Sequence, residues 1–271
     1  MTMARTLLLL ALSTSLFAQR EWNKPFPAHK VVGNIYSIGT AELSTFLITT
    51  SAGHILINSD FETTVPQLRA NIEKLGFKIT DIKIILGSHA HRDHMEADAM
   101  LKGLTGGAQV MAIEQDVPLL RRMALGEPHP IDRILKDGEE VKLGGTTLKA
   151  HLTAGHTNGC TTWSMKANEG GKNYDVVIVC SVGYNTGYQL WKNANYPSIA
   201  DDYRNSFKKL RSLKCDIFLG AHPQFYDGEG KYAKIGKGPN PFIDPAGYKA
   251  YVDEKEKQFN EEFERQKRAN P

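Results

Sequence analysis

Residues 87–94 place four side chains that could bind a metal ion within six positions: His89, His91, Asp93 and His94. They directly follow the apolar run Ile82–Leu86, which predicts a strand buried on both faces, so they occupy a loop where a strand ends at the edge of a sheet. Imidazole nitrogen and carboxylate oxygen are ligands suited to zinc. Burying three imidazoles and a carboxylate side by side is unfavourable unless a cation compensates them. The segment therefore predicts a metal site.

Two further histidines also follow predicted strands. His156 lies in a glycine-flanked turn at residues 153–159, and His222 ends the strand predicted from Asp216. Because α/β sheets place their sites at strand exits, we expect both histidines to join the loop at 87–94. Four histidines lack such a setting and are predicted to be structural or exposed: His29, His54, His129 and His151.

The hydrophobic pattern predicts the elements that must position these residues. Short β-branched or apolar runs predict strands at 31–37, 45–50, 54–58, 82–86, 109–112, 146–152, 161–165, 176–180 and 216–219. Apolar residues three or four apart predict helices at 65–75, 96–104 and 114–125, at 199–213 after a Ser198 cap, and from Asp244-Pro245 onwards. Since neither a linker nor a repeat divides residues 19–271, we predict one layered α/β domain.

The composition excludes several classes of protein. Among 271 residues, 33 Lys and Arg stand against 30 Asp and Glu, and this net charge of +3 is too balanced for a nucleic-acid binder. A hydrophobic content of 41% with 23% charged residues excludes disordered, fibrous and multi-span membrane proteins. Residues 1–18 combine Arg5, an apolar run and Ala18, which predicts a signal peptide too short to span a bilayer. We expect a secreted, periplasmic mature chain at residues 19–271 that has no membrane attachment after cleavage.

The sequence His-Ala-His-Arg-Asp-His at 89–94 resembles the His-x-His-x-Asp-His hallmark of the metallo-β-lactamase superfamily. Residues 39–44, 155–163, 187–190 and 215–222 are similar to the third subclass of the class B β-lactamases, and these stretches span nearly the whole mature chain. The resemblance implies a four-layer αββα sandwich with two zinc ions in a groove at one edge of the sheets. It assigns the first zinc to His89, His91 and His156, and the second to Asp93, His94 and His222.

The resemblance also implies an activity, the opening of the β-lactam ring of penicillins, cephalosporins and carbapenems, and thereby antibiotic resistance. A hydroxide bridging the two ions would attack the ring carbonyl, since each zinc lowers the pKa of a bound water from about 16 towards about 7. Asp93 is expected to orient this hydroxide, and Tyr188 to donate a hydrogen bond to the carbonyl oxygen. We expect a monomer that acts on small-molecule substrates.

Recognition of the substrate carboxylate is where this chain departs from its relatives. Ser181 matches a serine with that role in the family, although a serine at a strand end equally bonds to backbone. Relatives carry a second serine nearby, whereas this chain has Gly183-Tyr184-Asn185-Thr186, so Asn185 or Gln224 is expected to substitute.

Two other functions remain open at this point. A zinc-dependent lactonase or esterase of the same superfamily would use the same metal pair, but such enzymes carry a metal-bridging aspartate at about the position of Ser181. A non-enzymatic metal-binding or carbohydrate-binding module is disfavoured, because structural zinc sites are usually closed and rich in cysteine.

The three cysteines are too few for a disulfide framework. Cys180 ends a strand near the site and is predicted to be a buried thiol. Relatives often pair a cysteine that matches Cys215 with one in the C-terminal helix, where this chain has Tyr248, so Cys215 is expected to be unpaired. No disulfide is predicted.

Overall fold

The computed structural model describes residues 22–123 and 128–271, and over these ranges the chain forms twelve strands and seven α-helices. The strands are β1 (His29–Val32), β2 (Ile35–Ser37), β3 (Phe46–Thr50), β4 (Gly53–Ile57), β5 (Ile82–Leu86), β6 (Gln109–Ile113), β7 (Arg133–Leu135), β8 (Glu140–Leu143), β9 (Thr146–Leu152), β10 (Thr161–Glu169), β11 (Lys172–Val179) and β12 (Ile217–Gly220). The helices are α1 (Val65–Lys74), α2 (Arg92–Met95), α3 (Asp98–Leu104), α4 (Val117–Met123), α5 (Ile199–Ser212), α6 (Gly228–Tyr232) and α7 (Pro245–Ala269). The predicted signal peptide at 1–18 lies outside the described residues.

The strands form two sheets. The first follows chain order from β1 to β7, antiparallel as far as β4 and parallel from β4 to β7. The second has the order β12-β11-β10-β9-β8, and its one parallel pair is β11 with β12. Parallel neighbours need crossover connections, and helices α1 to α3 lie in the crossovers that lead into β5 and β6.

Period-two alternation in the central strands separates two apolar layers. In β4, Ile55 and Ile57 belong to the large core that the two sheets share, whereas Leu56 belongs to the core beneath α1. Helix α1 contributes Leu68 and Ile72 to that second core, so its predicted apolar face is the buried one. Burial on both faces explains why β4 and β5 read as continuous apolar runs.

Aromatic rings attach the outer helices α5 and α7 to the second sheet. Tyr203 and Phe207 of α5 lie 5.1 Å and 5.8 Å, between ring centroids, from Phe259 of α7, and all three rings are buried in the shared core. Helices therefore cover the outer faces of both sheets, and the predicted αββα sandwich is confirmed.

Most predicted elements appear near their expected bounds. Strands 82–86 and 146–152 match β5 and β9, and Asp244 caps α7 by accepting a hydrogen bond from Gly247 N at 2.8 Å. Ser198 is the N-cap residue of α5, as predicted, but its side chain makes no capping bond, because its hydroxyl donates to Asp202 Oδ2 at 2.7 Å instead of accepting from the backbone. Strands β7 and β8 were not predicted. Within residues 22–123 and 128–271, no helix combines the length and apolar character needed to cross a membrane.

Candidate metal centre

Three loops that follow strands meet at one edge of the sandwich. Residues 87–91 follow β5, residues 153–160 connect β9 to β10, and His222 lies two residues after β12. A backbone hydrogen bond joins the first loop to the end of the second, where Thr161 N, at the start of β10, donates to Ser88 O at 2.7 Å. The third loop is held by Ser44 N, which donates to Ala221 O at 3.0 Å. The histidines predicted from strand exits are thus brought together by the ends of both sheets.

The six predicted ligands lie in two groups of three. His89, His91 and His156 present donor atoms within 4.8 Å of one another, and so do Asp93, His94 and His222. Two ligand atoms bound to one zinc ion at about 2 Å cannot lie more than about 4 Å apart, so small side-chain shifts suffice to close each group on an ion. The rings of His89 and His94 are 4.3 Å apart between centroids, which makes the two groups neighbours.

Hydrogen bonds from the outer ring nitrogens orient the two histidines that come from the later loops. His156 Nδ1 donates to Gly183 O at 2.8 Å, and His222 Nδ1 donates to Glu42 O at 2.9 Å. Both bonds leave Nε2 unprotonated and directed into its group, as in histidine metal ligands held by a backbone carbonyl. Glu42, which sequence reasoning missed, therefore supports the second group through its backbone.

The rings of His89, His156 and His222 are held neutral. Burial lowers the pKa of His156 to about 3 and that of His222 to about 4, and like charges on neighbouring histidines add to both shifts. Burial and the same neighbours place the pKa of His89 well below its ordinary value. Neutral imidazole is the form that binds a metal ion.

Asp93 is the anionic donor of the second group. Burial alone would raise the pKa of its carboxyl, but the nearby imidazoles, His94 first and then His222, outweigh burial and hold the pKa below its usual range. Its Oδ2 lies 3.0 Å from His94 Nε2 and 3.6 Å from His222 Nε2.

His94 provides a direct test of whether these residues fit a cation. The residue is fully buried, and neither ring nitrogen makes a hydrogen bond within residues 22–123 and 128–271, because the short approach of Nε2 to Asp93 lacks hydrogen-bond geometry. A buried imidazole without partners is costly. A zinc ion bound by Nε2, Asp93 and His222 would remove most of that cost, so the donor set fits zinc.

Asp116, which sequence reasoning did not single out, fastens two of the loops together. Its Oδ2 accepts hydrogen bonds from Ala90 N at 2.8 Å and from Thr157 Oγ1 at 2.9 Å, and its Oδ1 accepts from Gly159 N at 2.7 Å. A Cβ atom at Gly159 would lie 2.5 Å from Asp116 N, so glycine is required for this approach. The carboxylate thereby fixes the loop of His89 and His91 relative to the loop of His156.

The prediction that Cys180 is a buried thiol is wrong, because Cys180 forms a disulfide with Cys160 beside the first group. Cys160 directly precedes β10 and Cys180 directly follows its partner strand β11, with Cα atoms 5.8 Å apart. Their equal distance from the hairpin turn at Gly170 was a signal in the sequence. Cys215 is buried and unpaired, as predicted, and the Tyr248 hydroxyl donates to Leu210 O.

The residues predicted to contact substrate lie in different settings. Ser181 is buried, Asn185 is exposed, and the exposed Gln224 donates its amide hydrogen to the Glu42 carboxylate. Tyr188 stacks on His156 with ring centroids 5.8 Å apart, and its hydroxyl donates to His156 O at 3.0 Å.

The four histidines predicted to be structural make other contacts. His29 bonds to Pro27 O, His129 to Asp98 Oδ2 and His151 to Ser164 Oγ. His54 is buried with its ring edge-to-face with Phe77.

Comparison with known proteins identifies the family. The model of the metallo-beta-lactamase superfamily matches residues 42–222. Native FEZ-1 metallo-beta-lactamase from Legionella gormanii is 45% identical with a TM-score of 0.87, over 90% of this chain and 98% of that one. BJP-1, a subclass B3 metallo-beta-lactamase of Bradyrhizobium japonicum, is 36% identical with a TM-score of 0.87, over 94% and 100%. The chain belongs to the metallo-beta-lactamase superfamily, and its predicted resemblance to the third subclass of class B is confirmed.

More distant relatives match over shorter stretches. A probable metallo-hydrolase of Burkholderia pseudomallei is 30% identical over 105 residues, which is 36% of this chain and 35% of the relative. The human mitochondrial persulfide dioxygenase is 23% identical over 129 residues, 48% of this chain and 45% of the relative. The alignments thus span less than half the length of these curated relatives.

Proposed function

We propose that this chain is a di-zinc β-lactamase that opens the β-lactam ring of penicillins, cephalosporins and carbapenems and so confers antibiotic resistance. The observation that carries the proposal is the pair of neighbouring donor groups, His89/His91/His156 and Asp93/His94/His222. Similarity over nearly the full length of FEZ-1 supports the proposal. So does similarity to LRA-12, a class B3 di-zinc metallo-beta-lactamase from an Alaskan soil metagenome, which is 30% identical with a TM-score of 0.83 over 89% of this chain and 95% of that one.

Zinc ions in the two groups would supply a Lewis acid for the ring carbonyl and a water acidic enough to ionise near neutral pH. The chain's own residues orient the reaction. Because the pKa of Asp93 is held low, its carboxylate stays ionised and accepts a hydrogen bond from the attacking water, which fixes the direction of attack. We therefore assign Asp93 both ligand and catalytic roles.

Tyr188 is proposed as the donor to the carbonyl oxygen as negative charge develops there. Burial raises the pKa of its hydroxyl, so it stays protonated and keeps a hydrogen to donate. Its ring lies against His156 of the first group, and the hydroxyl must exchange its bond to His156 O for one to substrate.

Ser181, Asn185 and Gln224 are proposed to recognise the substrate carboxylate. Ser181 is buried directly after the Cys180 disulfide, and Gln224 lies two residues after the ligand His222. Gln224 is engaged with the Glu42 carboxylate, so an anionic substrate must compete with that partner.

We also propose that residues 1–18 direct export to the periplasm and that residues 19–271 act there as a monomer. The Cys160–Cys180 disulfide supports export, because disulfides persist in oxidising compartments. Light scattering of the purified mature chain tests the monomer, and sequencing its N-terminus after expression in a Gram-negative host tests cleavage.

Turnover of a penicillin, a cephalosporin, a carbapenem and an acyl-homoserine lactone, with and without a chelator, tests the activity. We expect β-lactam turnover that chelation abolishes and zinc restores, and two zinc ions per chain by elemental analysis. His222→Ala should lower bound zinc towards one per chain, whereas His151→Asn, a histidine of β9 bonded to Ser164, should leave it at two. Lactone turnover far above β-lactam turnover would overturn the proposal, as would turnover that survives chelation.

A further inference from the structure

His156 is held on two sides by one loop of the chain. Residues 183–192, here called the Tyr188 loop, lie between β11 and α5 without regular structure. Gly183 O accepts the hydrogen bond from His156 Nδ1 at 2.8 Å, and Tyr188 donates to His156 O at 3.0 Å while stacking on its ring. The position of this metal-ligand candidate therefore depends on where the Tyr188 loop lies.

One side chain of the last helix makes several hydrogen bonds to the far end of that loop, beside the bond from Trp191 Nε1 to Asn270 O at 2.9 Å. Gln266 of α7 accepts hydrogen bonds at Oε1 from Leu190 N at 2.7 Å and Trp191 N at 3.2 Å. Its Nε2 donates to Tyr188 O at 2.8 Å. One amide thus satisfies three backbone groups of a segment that has no sheet or helix partner for them.

The orientation of the Gln266 amide is itself fixed. Its second Nε2 hydrogen donates to Glu262 Oε1 at 2.7 Å, and Arg265 holds the Glu262 carboxylate with bonds of 2.6 Å and 2.7 Å. Because the carboxylate can only accept, it selects the orientation that turns Oε1 towards the loop N–H groups. A side chain of equal length without an amide could fill the space but make none of these bonds.

We propose that Gln266 is a positioning residue: it fixes the Tyr188 loop, and through Tyr188 it holds His156 in place for metal binding and catalysis. The part of this role that concerns catalysis rests on the proposed function, whereas the part that concerns zinc binding does not. Within the described residues the Gln266 amide bonds to Tyr188, Leu190, Trp191 and Glu262 and to none of the candidate metal ligands, so its influence passes through the contact between Tyr188 and His156.

The test compares Gln266→Met, which keeps the length and removes the amide, with Gln258→Met as the matched control. Gln258 lies on the same helix, and its amide bonds to Glu254 and Lys255 of that helix. We expect Gln266→Met to weaken zinc binding by about tenfold or more, measured in competition with a chromophoric chelator. A loss of this size is typical when a residue that supports a metal ligand is removed. We expect kcat to fall more than KM rises, and Gln258→Met to match the wild type in both.

A double-mutant cycle on zinc affinity separates positioning from general destabilisation. If Gln266 acts through Tyr188, then Gln266→Met should weaken zinc binding little further in a Tyr188→Phe background. An equal loss in both backgrounds, or wild-type zinc affinity in Gln266→Met, would overturn the inference. A wild-type chain that binds zinc but leaves β-lactams intact would overturn the proposed function alone, because the zinc measurements need no substrate.

Discussion

Replacing Asp116 by Asn is the most informative perturbation of the site, because it keeps the shape of the side chain and removes one acceptor. Three donors converge on the carboxylate: Ala90 N, Thr157 Oγ1 and Gly159 N. An amide has one oxygen, and placed at the Oδ2 position that oxygen satisfies Ala90 and Thr157. Its NH2 group then faces Gly159 N–H, which is left without an acceptor.

The size of the effect follows from this geometry. A buried N–H group without a partner costs about 1–3 kcal/mol. Burial raises the pKa of Asp116 although three hydrogen bonds oppose the shift, so the neutral amide also relieves an unfavourable buried charge. We expect Asp116→Asn to lower the free energy of unfolding by no more than about 2 kcal/mol. Asp116→Ala leaves all three donors unpaired and should cost about 3 kcal/mol or more.

The larger effect should be on zinc. Loss of the Gly159 bond removes one of the two bonds that hold the loop of His156 on residue 116, and we expect zinc affinity to fall about tenfold to a hundredfold. Urea unfolding of the zinc-free protein and chelator competition measure the two quantities. Asp137→Asn is the control, since that exposed carboxylate also accepts a backbone bond, from Leu152 N. Wild-type zinc affinity in Asp116→Asn would refute the reasoning.

Three further predictions concern stability. The zinc-free protein should lose free energy of unfolding as pH falls from about 6.5 towards 4, because folded His222, with its pKa lowered to about 4, binds fewer protons there than the unfolded chain; flat urea midpoints across this window would contradict it. Removing both Cys160 and Cys180 should cost about 3 kcal/mol, from a bridge between residues 20 apart, and an unchanged thermal midpoint would count against it. Gly155→Ala, at φ +134° with the Tyr203 ring 2.7 Å from the new Cβ, should destabilise more than Gly171→Ala, at φ +80° in open space; equal thermal shifts would exclude the steric argument.

The candidate ligands could be predicted from sequence because each carries a local signal. Four lie within six residues after the apolar strand 82–86, and His156 and His222 end predicted strands. The end of a strand can be predicted from the residues around it, and in α/β proteins the ends of neighbouring strands meet at the edge of the sheet where sites lie. Most of the predicted strands and α1 were visible for the same reason, since hydrophobic period is set by neighbours in sequence.

Contacts between distant segments were beyond such signals. Gln266 lies in a charged stretch of α7, and its role comes from bonds to backbone groups 75 or more residues away. Asp116 is one of many acidic residues, and its role comes from bonds to backbone groups 26 and 43 residues away. The Ser198 hydroxyl makes no capping bond to the backbone of α5 because it donates to the Asp202 carboxylate.

The sequence by itself determined which side chains can bind metal and which faces of strands and helices are apolar, because spacing along the chain decides both. Only the tertiary structure decided which backbone carbonyl orients each histidine, that Cys160 meets Cys180, and which side chains hold the loops. Those outcomes depend on distances between atoms far apart in sequence, and the packing of two sheets with their outer helices sets these distances.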